Sequence, residues 1–159
     1  MRSLLLVPIL LLNSCDSDRI AKLEKKTADL AAKLDAQGRA ANLTLQEQCS
    51  RQAERSFKNN GWDKEQLASF ENHYNVKLNK CFVKTEDTGT KYGSPTVSKS
   101  VSDAFEGKIY GNYLWINSKK QKYWEVKPLE CTVTASSGEE KTCESDQEFD
   151  QLIKIYMEN

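Results

Sequence analysis

Cysteine spacing constrains the fold of this 159-residue chain more than any other feature. There are five cysteines, at Cys15, Cys49, Cys81, Cys131 and Cys143. The segment Cys131-Thr-Val-Thr-Ala-Ser-Ser-Gly-Glu-Glu-Lys-Thr-Cys143 reads as a β-hairpin turning around Ser136 to Gly138. Folded symmetrically about Ser137, it sets Cys131 opposite Cys143 at the separation of a cross-strand disulfide. A zinc site is the competing use. No pair shows Cys-x-x-Cys spacing and the only histidine, His73, has no second histidine to ligate with it. An odd cysteine count in an exported protein leaves one thiol over, so the fate of the fifth cysteine decides the pairing of the rest.

Cys15 ends an apolar run. Arg2 supplies a positive start, and Leu4 to Leu12 form an apolar stretch interrupted by Pro8. A membrane-spanning helix needs roughly 20 such residues, about twice this length. Polar Asp16, Ser17, Asp18 and Arg19 follow at once, which argues against a buried helix. Leu-Asn-Ser is a poor small-x-small site for an ordinary secretory signal. Leu12-Asn13-Ser14-Cys15 resembles instead the lipobox of bacterial lipoproteins, a branched residue and two small ones before a cysteine. The resemblance implies a diacylglycerol on Cys15, loss of residues 1–14 as a signal peptide, and acylation of the new terminus, typically by palmitate. Two or more chains anchor stably where one binds marginally. The expected location is therefore a bacterial cell membrane, facing the periplasm. Asp16 favours the inner membrane, because aspartate after the lipidated cysteine tends to retain enteric lipoproteins there. With Cys15 lipidated, four cysteines remain for two bridges in an oxidising compartment. Closing Cys131–Cys143 leaves Cys49 to pair with Cys81.

Charged residues make up 29% of the chain, hydrophobic ones 38%, and the formal net charge is zero. No basic excess interleaved with aromatics points to nucleic acid, and attachment to an anionic bilayer must come from the lipid. No Gly-rich phosphate loop indicates a nucleotide. Neither a metal nor another cofactor is expected.

The stretch 15–41 reads as the lipidated cysteine followed by a helical tether. Ile20, Leu23, Thr27, Leu30 and Leu34 alternate at spacings of three and four, the seam of a coiled coil. About three heptads fit before Gly38, near the lower limit for a coiled coil. A spacer helix and an oligomerising seam through Ile20, Leu23, Leu30 and Leu34 both fit the pattern. Residues 42–159 form the domain. Thr44-Leu-Gln-Glu47 is a capping box opening a helix whose apolar face is Leu45, Cys49, Ala53 and Phe57, closed at Gly61. Asp63 to Gln66 repeats the signal for a second helix carrying Leu67 and Phe70. Val76, Leu78, Phe82 and Val83 suggest a strand, residues 86–98 a loop. Ile109 to Ile116 is a strand, and Tyr123 to Val126 starts its return, with Pro128 at an edge or bulge. After the cysteine hairpin, Ser145 to Glu148 caps a last helix with Phe149, Leu152, Ile153 and Tyr156 inward. The expected class is α+β: a spacer helix, then helices on a mostly antiparallel sheet with two disulfides and a C-terminal helix.

Cys49-x-x-Gln52-Ala53-x-x-x-Phe57, His73-Tyr74-Asn75-x-x-Leu78-x-x-Cys81-Phe82, Tyr123-Trp124-Glu125-Val126 and Cys143-x-Ser145-x-x-Glu148-Phe149 resemble a domain of uncharacterised exported proteins of Gram-negative bacteria. That resemblance implies no activity and no site. Two function classes follow from the residues. The first is a non-catalytic binding or structural module of the envelope, with another envelope protein or peptidoglycan as partner. Tyr113, Trp115, Tyr123 and Trp124 are its candidate contact residues, since such side chains dominate binding hot spots. The second is a small envelope enzyme acting on cell-wall or lipid substrate with His73 as acid–base group. No activated nucleophile accompanies that histidine in sequence, so no catalytic residue is assigned and the first class is preferred.

Overall fold

The computed structural model describes residues 14–64, 67–91, 93–117 and 126–158. The chain divides into two compact units between Ala41 and Asn42. One helix, α1, runs from Ser14 to Asn59. In the first unit it is solvated all round: Ile20, Leu23, Leu30 and Leu34 are exposed on it. The Thr27 hydroxyl turns back to the Leu23 and Glu24 carbonyls at 3.1 and 2.8 Å, so this polar residue sits in the helix without breaking it. No described helix is long and apolar enough to cross a membrane.

The capping box at Thr44 therefore lies inside α1 and starts nothing. A box works only where the preceding residue leaves helical geometry. Arg39 to Leu43 contains no proline, and its alanines favour continuation. The one weak point, Gly38, costs about 1 kcal/mol and is bracketed by the Asp35–Arg39 ion pair. The helix ends where expected, with Gly61 at φ 78° and its amide bonded to the Lys58 carbonyl at 3.0 Å.

Among the described residues the second unit is a six-stranded antiparallel meander in the order β1 to β6, which confirms an α+β fold. Its strands are β1 (Ala68–Asn75), β2 (Lys80–Lys91), β3 (Ser94–Asp103), β4 (Ile109–Ile116), β5 (Glu130–Thr134) and β6 (Glu140–Thr142). The expected second helix is not formed. Among the described residues the start of the capping signal lies in a 3-10 turn, Trp62–Lys64, and Ala68–Asn75 pairs with β2 instead of forming a helix. Eight ladder pairs outweigh a helical preference that rested on two apolar residues. The strand expected around Val76 and Leu78 is a hairpin turn; Asn79 sits at φ 51° and the Asn75 side chain accepts from the Leu78 amide at 3.0 Å. The expected loop 86–98 is the end of β2 and the first half of β3, with Gly93 between them at φ 78°. The return strand from Tyr123 lies outside the described residues up to 125, and Pro128 stands between β4 and β5.

Both expected disulfides are present. Cys131–Cys143 spans the β5–β6 hairpin at a Cα separation of 5.1 Å, with Thr132 opposite Thr142 as symmetry about Ser137 requires. Cys49–Cys81 ties α1 to β2 at 5.3 Å.

The sheet has two different faces. On one lie α2 (Asp146–Leu152) and α3 (Lys154–Met157). The Ser145 hydroxyl accepts from the Glu148 amide at 3.2 Å, while the Glu148 carboxylate accepts from Glu144, one residue before the expected partner. Phe149, Ile153 and Tyr156 pack there on Phe82, Val101 and Val133. Tyr110 joins them through a register shift between Val101 and Ser102, since the bulge turns an extra residue onto this face. The other face carries the end of α1, where Cys49 and Ala53 meet Tyr74, Cys81, Val83 and Ala104. That helix end lies over β1 and β2, and most of β3 beside it is not part of that cluster.

Candidate functional site

Strand β3 shows why the second face matters. Its residues alternate, with Val97, Lys99, Val101 and Asp103 buried on the α2 side and Thr96, Ser98, Ser100 and Ser102 on the α1 side. A half-buried strand alternates in this way. Four hydroxyl side chains in succession are nevertheless unusual for a strand third in a sheet of six, and short side chains leave the surface hollow. The opposing residues of β2 extend the pattern: Thr85 faces Ser100, Asp87 faces Ser98 and Gly89 faces Thr96. Thr85 and Ser100 share a hydrogen bond of 2.7 Å.

Two adjoining hollows result, of about 390 and 380 Å³. Trp62 and Asn60, on the turn that closes α1, line both of them. The first runs over Asp87, Gly89, Thr96 and Ser98, the second over Thr85, Ser100 and Ser102 toward Ile109. Trp62 is half-buried and Ile109 exposed. Of the described lining residues, Asp87 alone carries a charge. Backbone groups of the floor are spent on the β2–β3 ladder, so side chains supply its chemistry.

Sequence reasoning missed this groove. Thr96-Val-Ser-Lys-Ser-Val-Ser102 has a clean period of two, the signal that could have found it, but Gly89, Gly93 and Pro95 nearby read as loop. The aromatic residues expected to form a contact face are placed otherwise. Tyr113 is 0% exposed and Trp115 4%, both in the core beneath α2. Their register explains it: Trp115 lies opposite Val97 and Tyr113 opposite Lys99, which puts both on the covered side. Tyr123 and Trp124 lie outside the described residues.

His73 is half-buried on β1, opposite Phe82, and so faces the C-terminal helices. The groove is on the other side of the sheet, and His73 does not contribute to it. Among the described residues no group of three or more His, Cys, Asp or Glu side chains could hold a metal ion.

The most charged buried cluster is structural in placement. Lys99, 5% exposed, pairs with Asp146 at the start of α2, with Asp150 at 3.4 Å and with Glu86 at 3.9 Å; Lys84 also reaches Asp150 at 3.2 Å. Burial works against the Lys99 ammonium, but the Asp146 hydrogen bond and the three carboxylates together hold its pKa above the usual lysine value. The cluster pins the first turn of α2 to the sheet. At the β3–β4 turn, Asp103 accepts from the Phe105 and Glu106 amides at 2.9 and 3.1 Å and from Lys80 at 2.8 Å. Burial alone would raise its pKa; those three donors reverse the effect and lower it.

Compared with protein-family models, curated proteins and solved structures, the chain matches none.

Proposed function

We propose that this chain is a membrane-anchored lipoprotein of the bacterial envelope whose domain, 42–159, acts as a non-catalytic binding module facing the periplasm. The observation that carries the anchor is the cysteine count. Both disulfides form among Cys49, Cys81, Cys131 and Cys143, the pairing an exported protein is expected to adopt. The fifth cysteine is the one that ends an apolar run in the pattern Leu-Asn-Ser-Cys. Binding is preferred to catalysis because the hollows lie on the opposite side of the sheet from His73 and are lined by Ser and Thr hydroxyls, Asn60, Asp87, Trp62 and the apolar Phe57, Val83, Ile109 and Leu114.

On this reading residues 15–41 are a spacer. A helix of that length spans about 40 Å at 1.5 Å per residue, and i,i+4 pairs such as Asp35–Arg39 suit it to water. The exposed Ile20, Leu23, Leu30 and Leu34 are the surface through which copies would associate if the seam were used.

Changing Cys15→Ser tests the anchor. The wild-type chain should sediment with membranes and need detergent for release. The variant should leave by osmotic shock with its disulfides intact. A variant that stays in the membrane fraction at the wild-type level contradicts the assignment.

A further inference from the structure

We infer that the groove on the α1 side of the sheet is a glycan site: Trp62 offers the flat apolar wall for a sugar ring, and the hydroxyl floor of β2 and β3 hydrogen-bonds its substituents. The inference rests on the envelope reading only for where such a glycan would be met. The binding itself stands on the groove.

Charge narrows the occupant first. Among the described residues Asp87 is the one charged side chain lining either hollow, and its carboxylate repels an anionic ligand. A neutral ligand rich in hydroxyls does fit, because a carboxylate accepts from one or two of them. The floor excludes two other classes. An apolar chain would gain Phe57, Val83 and Ile109 in the second hollow but would strip water from Ser98, Ser100 and Ser102 without replacing its hydrogen bonds, which is costly for each group. An extended peptide gains affinity by adding to a sheet edge, whereas β2 and β3 are interior strands whose ladder groups already pair.

What the floor presents is matched to sugars. Every Ser and Thr hydroxyl both donates and accepts, as does every sugar hydroxyl. The 2.7 Å Thr85–Ser100 bond uses one hydrogen of the two and leaves the other for a ligand. Trp62 borders both hollows, so a chain of rings can cross it with units on either side. Each hollow, at about 390 and 380 Å³, is of small-molecule size. The occupant we assign is a neutral oligosaccharide of a few sugar rings.

Calorimetric titration of the detergent-extracted full chain tests this, with chitotetraose and cellotetraose as probes. At least one should bind. Trp62→Ala should weaken that binding at least about tenfold, the loss of one anchoring contact; Trp62→Phe, which keeps a flat ring, should weaken it less. Ser98→Leu, on the solvent side of β3, should fill the floor and abolish binding while thermal unfolding by circular dichroism stays near wild type. Failure of both oligosaccharides to bind the folded wild-type chain overturns the proposal. So does binding that survives both Trp62→Ala and Ser98→Leu, or displacement of the sugar by a neutral tetrapeptide at equal concentration. None of these outcomes bears on lipidation, which is read from membrane fractionation.

Discussion

Replacing Cys49 and Cys81 together by alanine is expected to lower the domain's unfolding free energy by about 3–4 kcal/mol. The bridge joins residues 32 apart in sequence, and the chain-entropy cost that it removes from the unfolded state grows with loop length. Cys131–Cys143 closes only 12 residues, within a hairpin that its own ladder already aligns, so its removal should cost less. Local packing adds to the contrast. The end of α1 docks on the sheet through a narrow stripe, Leu45, Cys49, Ala53 and Phe57, one residue every four. Cys49 is 1% exposed and Ala53 0%, yet neither is a large side chain, and little apolar area is buried without the covalent link. The Phe57–Phe70 ring contact at 4.8 Å is the largest anchor left. Urea unfolding of the oxidised wild type and the double variant measures the difference, and amide exchange locates it. Residues 45–57 should exchange much faster in the variant, with β3 to β5 less affected. A change below about 1 kcal/mol would mean that the helix is held by packing alone.

Phe149→Ala should destabilise the domain by about 3–5 kcal/mol, the range for deleting a fully buried aromatic side chain. Phe149 is 0% exposed and lies 5.7 Å from the Tyr113 ring, centroid to centroid. The strand beneath is shaped for it. A Cβ at Gly111 would meet the Phe149 and Ile153 side chains at 3.3 Å, tighter than an ordinary contact, so a larger residue there would push both back by a few tenths of an ångström. Helix α2 has seven residues, too few to hold itself in water, and its position depends on this ring together with the Lys99–Asp146 pair. Losing the ring therefore leaves a cavity and frees the helix. Guanidinium unfolding of the variant checks the magnitude; a loss under about 1.5 kcal/mol would show that the core collapses around the gap and that Ile153 and Tyr156 suffice.

What the sequence disclosed depended on whether the signal was local. The Cys131–Cys143 hairpin and the Ser145 cap are set by residues within a dozen positions, and both form as their spacing implies. Gly61 closes α1 for the same reason. The errors come from competition. Thr44 to Glu47 carries a capping pattern, but a cap needs a break before it, and Arg39 to Leu43 provides none. Asp63 to Gln66 carries the same pattern, and there the long-range pairing of Ala68–Asn75 with β2 wins. The groove was hidden by its composition. Ser and Thr on one side of β3, with Gly89 and Gly93 nearby, look like a loop until the buried Val97, Lys99 and Val101 on the other side are weighed. Burial of Lys99 could not be read from its residue type at all, because it depends on Asp146, 47 positions along. Tyr113 and Trp115 were ambiguous for the opposite reason. Alternation puts them on one side of β4, but which side α2 would cover is a property of the chain's return path.

The anchor is the claim on which the whole account turns, and one mass measurement bears on it directly. The protein should be extracted from membranes in detergent, digested, and its amino-terminal peptide weighed. The account predicts a chain that begins at Cys15 and carries a diacylglyceryl group on that sulfur, with further acylation of the amino group, and none of residues 1–14. A chain that still begins at Met1, or one cleaved elsewhere with an unmodified Cys15, would contradict it.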